Sequence, residues 1–114
     1  MMINKNKILH VIEQQKRVCK KYGVLPENPE EMVAIALDTL NLTPIYGTRI
    51  KRSKDSTISW FFYCGEYCER DNFYQALHTE HLNTVLPEVM KYLYLPEGYN
   101  FIIDRDGYED VWSE

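Results

Sequence analysis

The side chains in this sequence that are best suited to bind a metal ion are His78 and His81, which lie three positions apart. On a helix this spacing would let both imidazoles face one zinc ion, and Cys64, Glu66 or Cys68 could supply further ligands. The local sequence is His-Thr-Glu-His, however, and no second pair of ligands follows at a spacing known from zinc sites. We therefore predict ordinary hydrogen-bonded histidines at a helix start, with no metal and no other cofactor.

Nucleophilic or acid–base catalysis would need a reactive group and a partner that activates it. Either cysteine of the 64–68 stretch could pair with a histidine, but the spacing indicates neither a cleft nor a group that orients the base. The adjacent carboxylates of Glu109 and Asp110 would point to opposite faces of a strand, which is poor geometry for joint acid–base work. The sequence contains no phosphate-binding loop, nucleophile elbow or dinucleotide fingerprint. We predict that the protein is not an enzyme.

The composition is that of an ordinary globular chain, since 114 residues suit one domain and 26% of them are charged. The first residues lead into an amphipathic stretch, so we expect neither a secretory signal nor a membrane span. Three cysteines at uneven spacing fit reduced thiols better than a disulfide framework. These features predict a cytoplasmic protein that has no membrane partner.

The net charge of −4 hides an uneven distribution. Residues 1–54 carry ten Lys or Arg and five Asp or Glu, whereas residues 66–114 carry three and eleven. The acidic second half argues against nucleic acid as a partner and favours a basic protein, because complementary charge speeds encounter and disfavours wrong partners. Two ordinary solvated faces of opposite charge remain the alternative interpretation.

The stretch that must position these side chains is residues 58–66, which has a β-branched start, four consecutive aromatic residues and a closing glycine. This pattern predicts a central strand, with Trp60 and Phe62 on one face and Phe61 and Tyr63 on the other. A strand with apolar side chains on both faces belongs inside a sheet.

Two helices are predicted before this strand. Residues 4–22 have apolar positions at helical spacing and a basic outer side, and Gly23 supplies the stop. Asn28 as N-cap and Pro29 at the first helical position then begin a second helix, whose apolar stripe runs over residues 32–40. The helical part of the chain would therefore cover residues 4–41.

Residues 45–52 are predicted to form a hairpin with the central strand. Their basic side chains, Arg49, Lys51 and Arg52, are interpreted as a charged sheet edge that discourages aggregation. An acidic loop at residues 65–72 leaves the central strand and is the first choice for a contact surface.

A helical segment with Thr79 as N-cap follows this loop, and Pro87 should kink or restart it. Residues 99–103 and 108–112 are predicted to form a second hairpin, with Gly107 in its turn. The predicted fold is α+β in a single domain, residues 1–114. Its largely antiparallel sheet of about four strands would come from residues 45–114, with the N-terminal helices and one central helical segment packed on it.

Two stretches in the second half of the sequence together resemble a known protein family. The first is Ser59-Trp60-Phe61-Phe62-Tyr63-Cys64-Gly65-Glu66, and the second runs from Leu95-Pro96-Glu97-Gly98 to Gly107-Tyr108-Glu109-Asp110-Val111-Trp112. They resemble the immunity protein 33 domain of bacterial polymorphic toxin systems over about residues 45–114. This chain has Ser59-Trp60 where that family usually has Gly-Trp, and the N-terminal helices have no counterpart in the resemblance.

The resemblance implies a small, non-catalytic bacterial immunity protein that binds and neutralises a cognate protein toxin in the cytoplasm. Acidic side chains would meet a basic active-site cleft of the toxin, and an aromatic side chain would act as an anchor. The candidate toxin-binding residues are Glu66, Glu69, Asp71, Glu109, Asp110 and Trp112. Trp112 could instead be a core residue that closes the last strand.

Two other function classes stay open. One is a non-catalytic interaction or regulatory module, either a monomer or a homodimer joined through an exposed edge strand. The other is a small metal-binding enzyme that uses His78 and His81.

Overall fold

Six strands form one mixed sheet in the computed structural model, which describes the backbone of residues 5–114 and the side chains from residue 8 onward. The order across the sheet is β4-β1-β3-β2-β5-β6, and only the β1–β3 pair is parallel. The α+β class is confirmed, whereas the predicted number of about four strands is wrong. The strands are β1 (Met32–Ile35), β2 (Ile45–Arg49), β3 (Trp60–Cys64), β4 (Gln75–His78), β5 (Tyr99–Ile103) and β6 (Glu109–Ser113).

The predicted central strand is β3, which lies between β1 and β2. Trp60 and Phe62 are completely buried, whereas Phe61 and Tyr63 on the opposite face are only partly buried. β2 and β3 form the first predicted hairpin, and β5 and β6 form the second. Gly107 has a φ of 104° in the second turn, a conformation that favours glycine. The alternation and both hairpins are therefore confirmed.

The predicted second helix is wrong, because its first part is strand β1 and only the short 3-10 turn Leu37–Thr39 is helical. Three of the four β1 residues are buried, and β1 has a neighbouring strand on each edge. An amphipathic helix would have left one side of this apolar segment in water. Burial on both faces of an inner strand outweighs the helix-start residues just before it.

The segment after the acidic loop begins with β4, a strand that the sequence analysis did not predict. It is antiparallel to β1 and forms one edge of the sheet. The 3-10 turn Thr79–His81, helix α2 (Leu82–Val85) and the 3-10 helix Pro87–Tyr92 follow. Pro87 therefore starts a new segment, as predicted for a residue that cannot continue a helix.

A helical layer covers one face of the sheet. Helix α1 (Lys5–Lys21) ends before Gly23, as predicted, and contacts the 3-10 helix Pro87–Tyr92. These helices and α2 close a core on the side of Trp60 and Phe62. The core contains Val18, Val33, Ile35, Ile45, Trp60, Phe62, Cys64, Leu82, Leu86, Val89, Tyr92, Leu93, Leu95, Phe101 and Ile103.

Arg49 does not lie on a sheet edge, because β2 is an inner strand and the Arg49 side chain is completely buried. Its guanidinium donates to Ser59 Oγ at 3.0 Å and to the backbone carbonyls of Leu95 and Asn28 at 2.7 and 2.6 Å. The Glu30 carboxylate lies 3.4 Å away. One buried cation therefore joins the segment before β1, the β2–β3 hairpin and the chain before β5.

Candidate protein-binding surface

The sheet face opposite the helical layer carries a continuous group of aromatic side chains. Tyr46 and Tyr63 occupy paired positions on β2 and β3, and their rings stack with centroids 4.6 Å apart. Phe61 meets Tyr74 edge-to-face at 5.2 Å. Both arrangements are favoured by the ring quadrupole. We call this group the aromatic face, and its members are Tyr46, Phe61, Tyr63, Tyr67, Phe73 and Tyr74.

The loop between β3 and β4 supplies the outer members of the aromatic face. Phe73 is 4% exposed and packs between Tyr63 and Tyr67, with ring centroids 5.9 and 5.4 Å away. Tyr67 remains 56% exposed. The Arg70 guanidinium lies 5.9 Å from the Phe73 ring and pairs with the Asp38 carboxylate at 2.5 Å. These contacts hold the loop while one tyrosine stays available to a partner.

The same loop carries three of the predicted site residues, Glu66, Glu69 and Asp71, and all three are exposed. None of them forms an ion pair with any residue whose side chain the structure describes. The cation between them, Arg70, is already bound to Asp38. The loop therefore places uncompensated negative charge beside the aromatic face.

Asp110 and Trp112 lie on the same side of the sheet as the aromatic face. Across the strands, Trp112 is paired with Asn100 of β5, and Asn100 is paired with Thr48 of β2. Thr48 is in turn paired with Phe61 of β3, so Trp112 lies on the same face as Phe61. Trp112 is 38% exposed on the edge strand, so its interpretation as a core residue is wrong. Three strand spacings, about 14 Å, separate β6 from β3. One partner could therefore cover both groups.

Glu109 lies on the opposite side of β6 and is bound to the helical layer. Its carboxylate accepts hydrogen bonds from Lys21 Nζ at 2.7 Å and from the hydroxyls of Tyr22 and Tyr92, both at 2.5 Å. Burial alone would raise the pKa of Glu109, but these hydrogen bonds outweigh burial and lower the pKa to about 2. Among the six predicted site residues, Glu109 has the contacts of a structural residue.

A family model described as the Imm33-like domain matches residues 14–114. The chain belongs to the Imm33-like domain family. The match confirms the resemblance to the immunity protein 33 family and extends it from residues 45–114 to the C-terminal part of α1 and to β1. No curated protein and no solved structure matches the chain. Between residues 5 and 114, this Imm33-like domain has no helix long and apolar enough to cross a membrane.

The two histidines that were considered as possible metal ligands lie side by side in this Imm33-like domain. The rings of His78 and His81 are 5.7 Å apart and both residues are exposed. Over the described part of the chain, no group of three or more His, Cys, Asp or Glu side chains is arranged to hold a metal ion. Thr79 does not cap the following turn through its side chain, since its hydroxyl donates to the Glu30 carbonyl at 2.6 Å.

The cysteines of this Imm33-like domain are free thiols, of which only Cys68 is exposed. Burial raises the pKa of the Cys19 thiol and of the Cys64 thiol. A thiol with a raised pKa carries little thiolate at neutral pH and is a poor nucleophile. The structure therefore gives Cys64 the environment of a core residue.

Two tyrosines of the aromatic face, Tyr63 and Tyr74, are held in their neutral form. Burial, with the neighbouring tyrosines, raises the pKa of Tyr63 and raises that of Tyr74 to about 12. Neutral phenols offer both a hydroxyl donor and an apolar ring, which suits recognition of a protein surface.

Sequence reasoning missed Tyr46 and Tyr74 as parts of the surface in this Imm33-like domain. The signal for Tyr46 was available, because a β2–β3 hairpin places it opposite Tyr63 on the face away from Trp60. Tyr74 depends on how the loop folds back on Phe61, and no sequence spacing indicates that contact.

Proposed function

We propose that this Imm33-like domain is an immunity protein that binds a cognate bacterial toxin in the cytoplasm and neutralises it without catalysis. The observation that carries the proposal is the partly exposed aromatic face, which is bordered by the unpaired carboxylates of the loop. Tyrosine and tryptophan are enriched in the anchors of protein interfaces. Family membership supports the same function, since the family is one of immunity proteins.

The toxin-contacting set that we propose joins the loop carboxylates Glu66, Glu69 and Asp71 to Asp110 and Trp112 across the aromatic face. An acidic rim would steer a basic toxin surface into place, and the aromatic rings would bury area once water is excluded. We propose for Glu109 an indirect role, in which its hydrogen bonds fix β6 on the helical layer.

Growth rescue tests the function directly. The chain is co-expressed with any large modular toxin encoded by a neighbouring gene, and we expect growth to be restored. Absence of a toxin-like neighbour, or toxicity that the chain does not change, would instead favour a non-catalytic interaction module.

Charge reversal of the acidic loop tests the surface. The variant Glu66→Lys/Glu69→Lys/Asp71→Lys should slow association with the toxin by about 10-fold or more at low salt, because steering is lost. A matched control, Glu13→Lys/Asp55→Lys/Asp106→Lys, changes the net charge equally at exposed carboxylates elsewhere. Equal association rates for the two variants would remove the loop from the proposed interface.

A further inference from the structure

Strand β6 is an edge of the sheet, because β5 is its only neighbour among the described strands. Two hydrogen bonds mark which of its residues bond to β5. The Asp104 N–H donates to the Tyr108 carbonyl at 3.2 Å just before β6, and the Glu114 N–H donates to the Gly98 carbonyl at 3.1 Å just after it. Both pairs continue the β5–β6 register, so the ladder keeps one phase from end to end.

The phase of this ladder decides where the backbone groups of β6 point. In an antiparallel pair, residues that bond to the neighbouring strand alternate with residues that do not. Since residues 108 and 114 bond to β5, residues 110 and 112 do so as well. The residues between them direct their N–H and C=O groups away from the sheet, and no other described residue bonds to these groups. The outward residues are Glu109, Val111 and Ser113.

This edge lacks the features that usually protect an edge strand. Natural proteins protect edges with proline, lysine, a bulge or a very short strand. β6 has the sequence Glu-Asp-Val-Trp-Ser, and its five pairs with β5 are continuous. On the other edge strand, β4, the Thr79 N–H donates to the Glu31 carbonyl at 2.8 Å, so β4 turns only Ala76 and His78 outward. β6 is therefore the longer open edge.

The side chains of β6 select the charge of a partner. Asp110 and Glu114 are exposed and form no ion pair with the described side chains, and Glu109 is already paired with Lys21. Residues 106–114 contain no Lys or Arg. A strand with basic side chains on the side of Asp110 and Trp112 would meet opposite charge and an exposed ring that attracts cations.

A second copy of β6 fits this edge less well than a basic strand does. If two copies paired through their outward residues about a two-fold axis, Asp110 would face Asp110, Glu114 or Trp112 of the other copy. The first two registers place like charges directly opposite each other, which is destabilising. The third still aligns two acidic strands along one seam.

We propose that β6 binds an extended strand of the partner protein, which adds a seventh strand to the six-stranded sheet. The occupant is extended because the outward groups recur at every second residue, which is the spacing of a strand. It is antiparallel, the more stable pairing, and carries lysine or arginine at alternate positions. Identification of this strand with the toxin rests on the proposed function, whereas the pairing of a basic strand with β6 does not.

The test is an ¹⁵N NMR titration of the full chain with the peptide acetyl-Thr-Lys-Thr-Lys-Thr-Lys-amide. We expect saturable shifts and slower hydrogen exchange at the backbone amides of Val111 and Ser113. The peptide acetyl-Thr-Glu-Thr-Glu-Thr-Glu-amide has the same alternation and the opposite charge. It should bind about ten-fold more weakly or worse at low salt, because it meets like charge along β6.

Two methylated peptides separate strand pairing from simple charge attraction. In the proposed register, the threonines lie opposite the outward residues of β6 and direct their N–H groups toward it, whereas the lysine backbone N–H groups point away. Methylation of the threonine nitrogens should weaken binding by about ten-fold or more, since each lost hydrogen bond corresponds to about five-fold. Methylation of the lysine backbone nitrogens should leave the affinity nearly unchanged.

Val111→Pro makes the same test on the protein. It removes an outward N–H that β5 does not use, and proline is tolerated on edge strands where the N–H faces solvent. We expect this variant to bind the lysine peptide about five-fold more weakly or worse. Val111→Ala is the matched control, because it keeps the N–H, and it should bind like the unchanged chain. If Val111→Pro does not fold, the two methylated peptides decide the question.

Equal affinity for the two methylated peptides, equal binding of the glutamate peptide, shifts centred on β4, or a dimer of the chain joined through β6 would each overturn the proposal. Growth rescue is scored separately. Failed rescue by a chain that still binds the lysine peptide through β6 would refute the toxin partner and support the strand assignment.

Discussion

Replacement of the buried Arg49 by methionine should strongly destabilise the domain. Methionine keeps most of the side-chain length but removes the cation and every donor. The Arg49 side chain is completely buried and donates to Ser59, to backbone carbonyls and to the carboxylate of Glu30, which is itself only 13% exposed. Its loss leaves buried acceptors unpaired on three segments of the chain.

The size of the stability loss follows from the groups that Arg49→Met leaves without a partner. Removal of one partner from a buried ion pair costs about 3–5 kcal/mol, and each unpaired buried acceptor costs about 1–3 kcal/mol. Glu30 keeps Arg52 at 3.3 Å and the Ser59 hydroxyl, which argues against a larger loss. We therefore expect the free energy of unfolding to fall by about 3–5 kcal/mol, a large part of the ~5–15 kcal/mol typical of a domain.

Urea unfolding followed by tryptophan fluorescence measures the effect, because Trp60 lies in the core. With a typical urea dependence, the midpoint should fall by about 2–3 M. Arg52→Met is the matched control, since Arg52 pairs with Glu30 and Glu97 but is 42% exposed. It should move the midpoint only slightly, as exposed ion pairs contribute little. Similar midpoints for the two variants would show that the buried hydrogen bonds of Arg49 do not hold the fold together.

Three further changes test other parts of the structure. The folded-state pKa of Glu109 is lowered to about 2 from a usual value of 4.5, so its ionised form stabilises the fold above about pH 4.5, and this contribution is lost as the pH falls toward 2. Glu109→Gln should cost about 2–3 kcal/mol at pH 7 and flatten the acid side of the urea midpoint against pH; an unchanged acid profile would contradict this assignment. In Gly47→Ala, the new Cβ would overlap the buried ring of Phe101, so thermal unfolding should show a loss of about 1–3 kcal/mol, and a neutral result would mean that the ring can move aside. Tyr63→Ala should weaken toxin binding by about 10-fold or more, as for an interface anchor, with calorimetry as the assay and Tyr108→Ala, at an exposed turn, as the control; equal affinities would place the toxin elsewhere.

Much of the second half of the fold was predictable because its signals are local, although strand β4 was missed. Alternation around Trp60 and Phe62 marked the inner strand, and Gly107 marked the turn between β5 and β6. The acidic loop was also predictable, because its acidic residues come directly after that strand in the sequence. The paired tyrosines of the aromatic face needed only the hairpin register.

In the first half, helix α1 and strand β2 were predictable, but β1 and the burial of Arg49 were not. A good helix start precedes β1, and only the presence of β3 and β4 on its two edges makes the strand the better structure. Arginine is usually found at the surface, so the burial of Arg49 was not expected. Its hydrogen-bond acceptors include the carbonyls of Asn28 and Leu95, which are distant in sequence. Glu109 was selected for its charge, yet its carboxylate is hydrogen-bonded to helix-side residues such as Tyr22.

The position of β1 limits how the domain can be shortened. A fragment of residues 45–114 would contain both hairpins and the acidic loop, but β3 and β4 would have no strand between them. The unpaired backbone groups and the apolar side of β3 would then be open to other chains, which is a route to aggregation. A shortened version of this domain must therefore retain the segment that carries β1, even though none of the proposed toxin contacts lies within it. If β1 were supplied as a separate peptide, it could insert between β3 and β4 and complete the sheet. The domain would then be a split protein whose folding reports that the two pieces have bound each other.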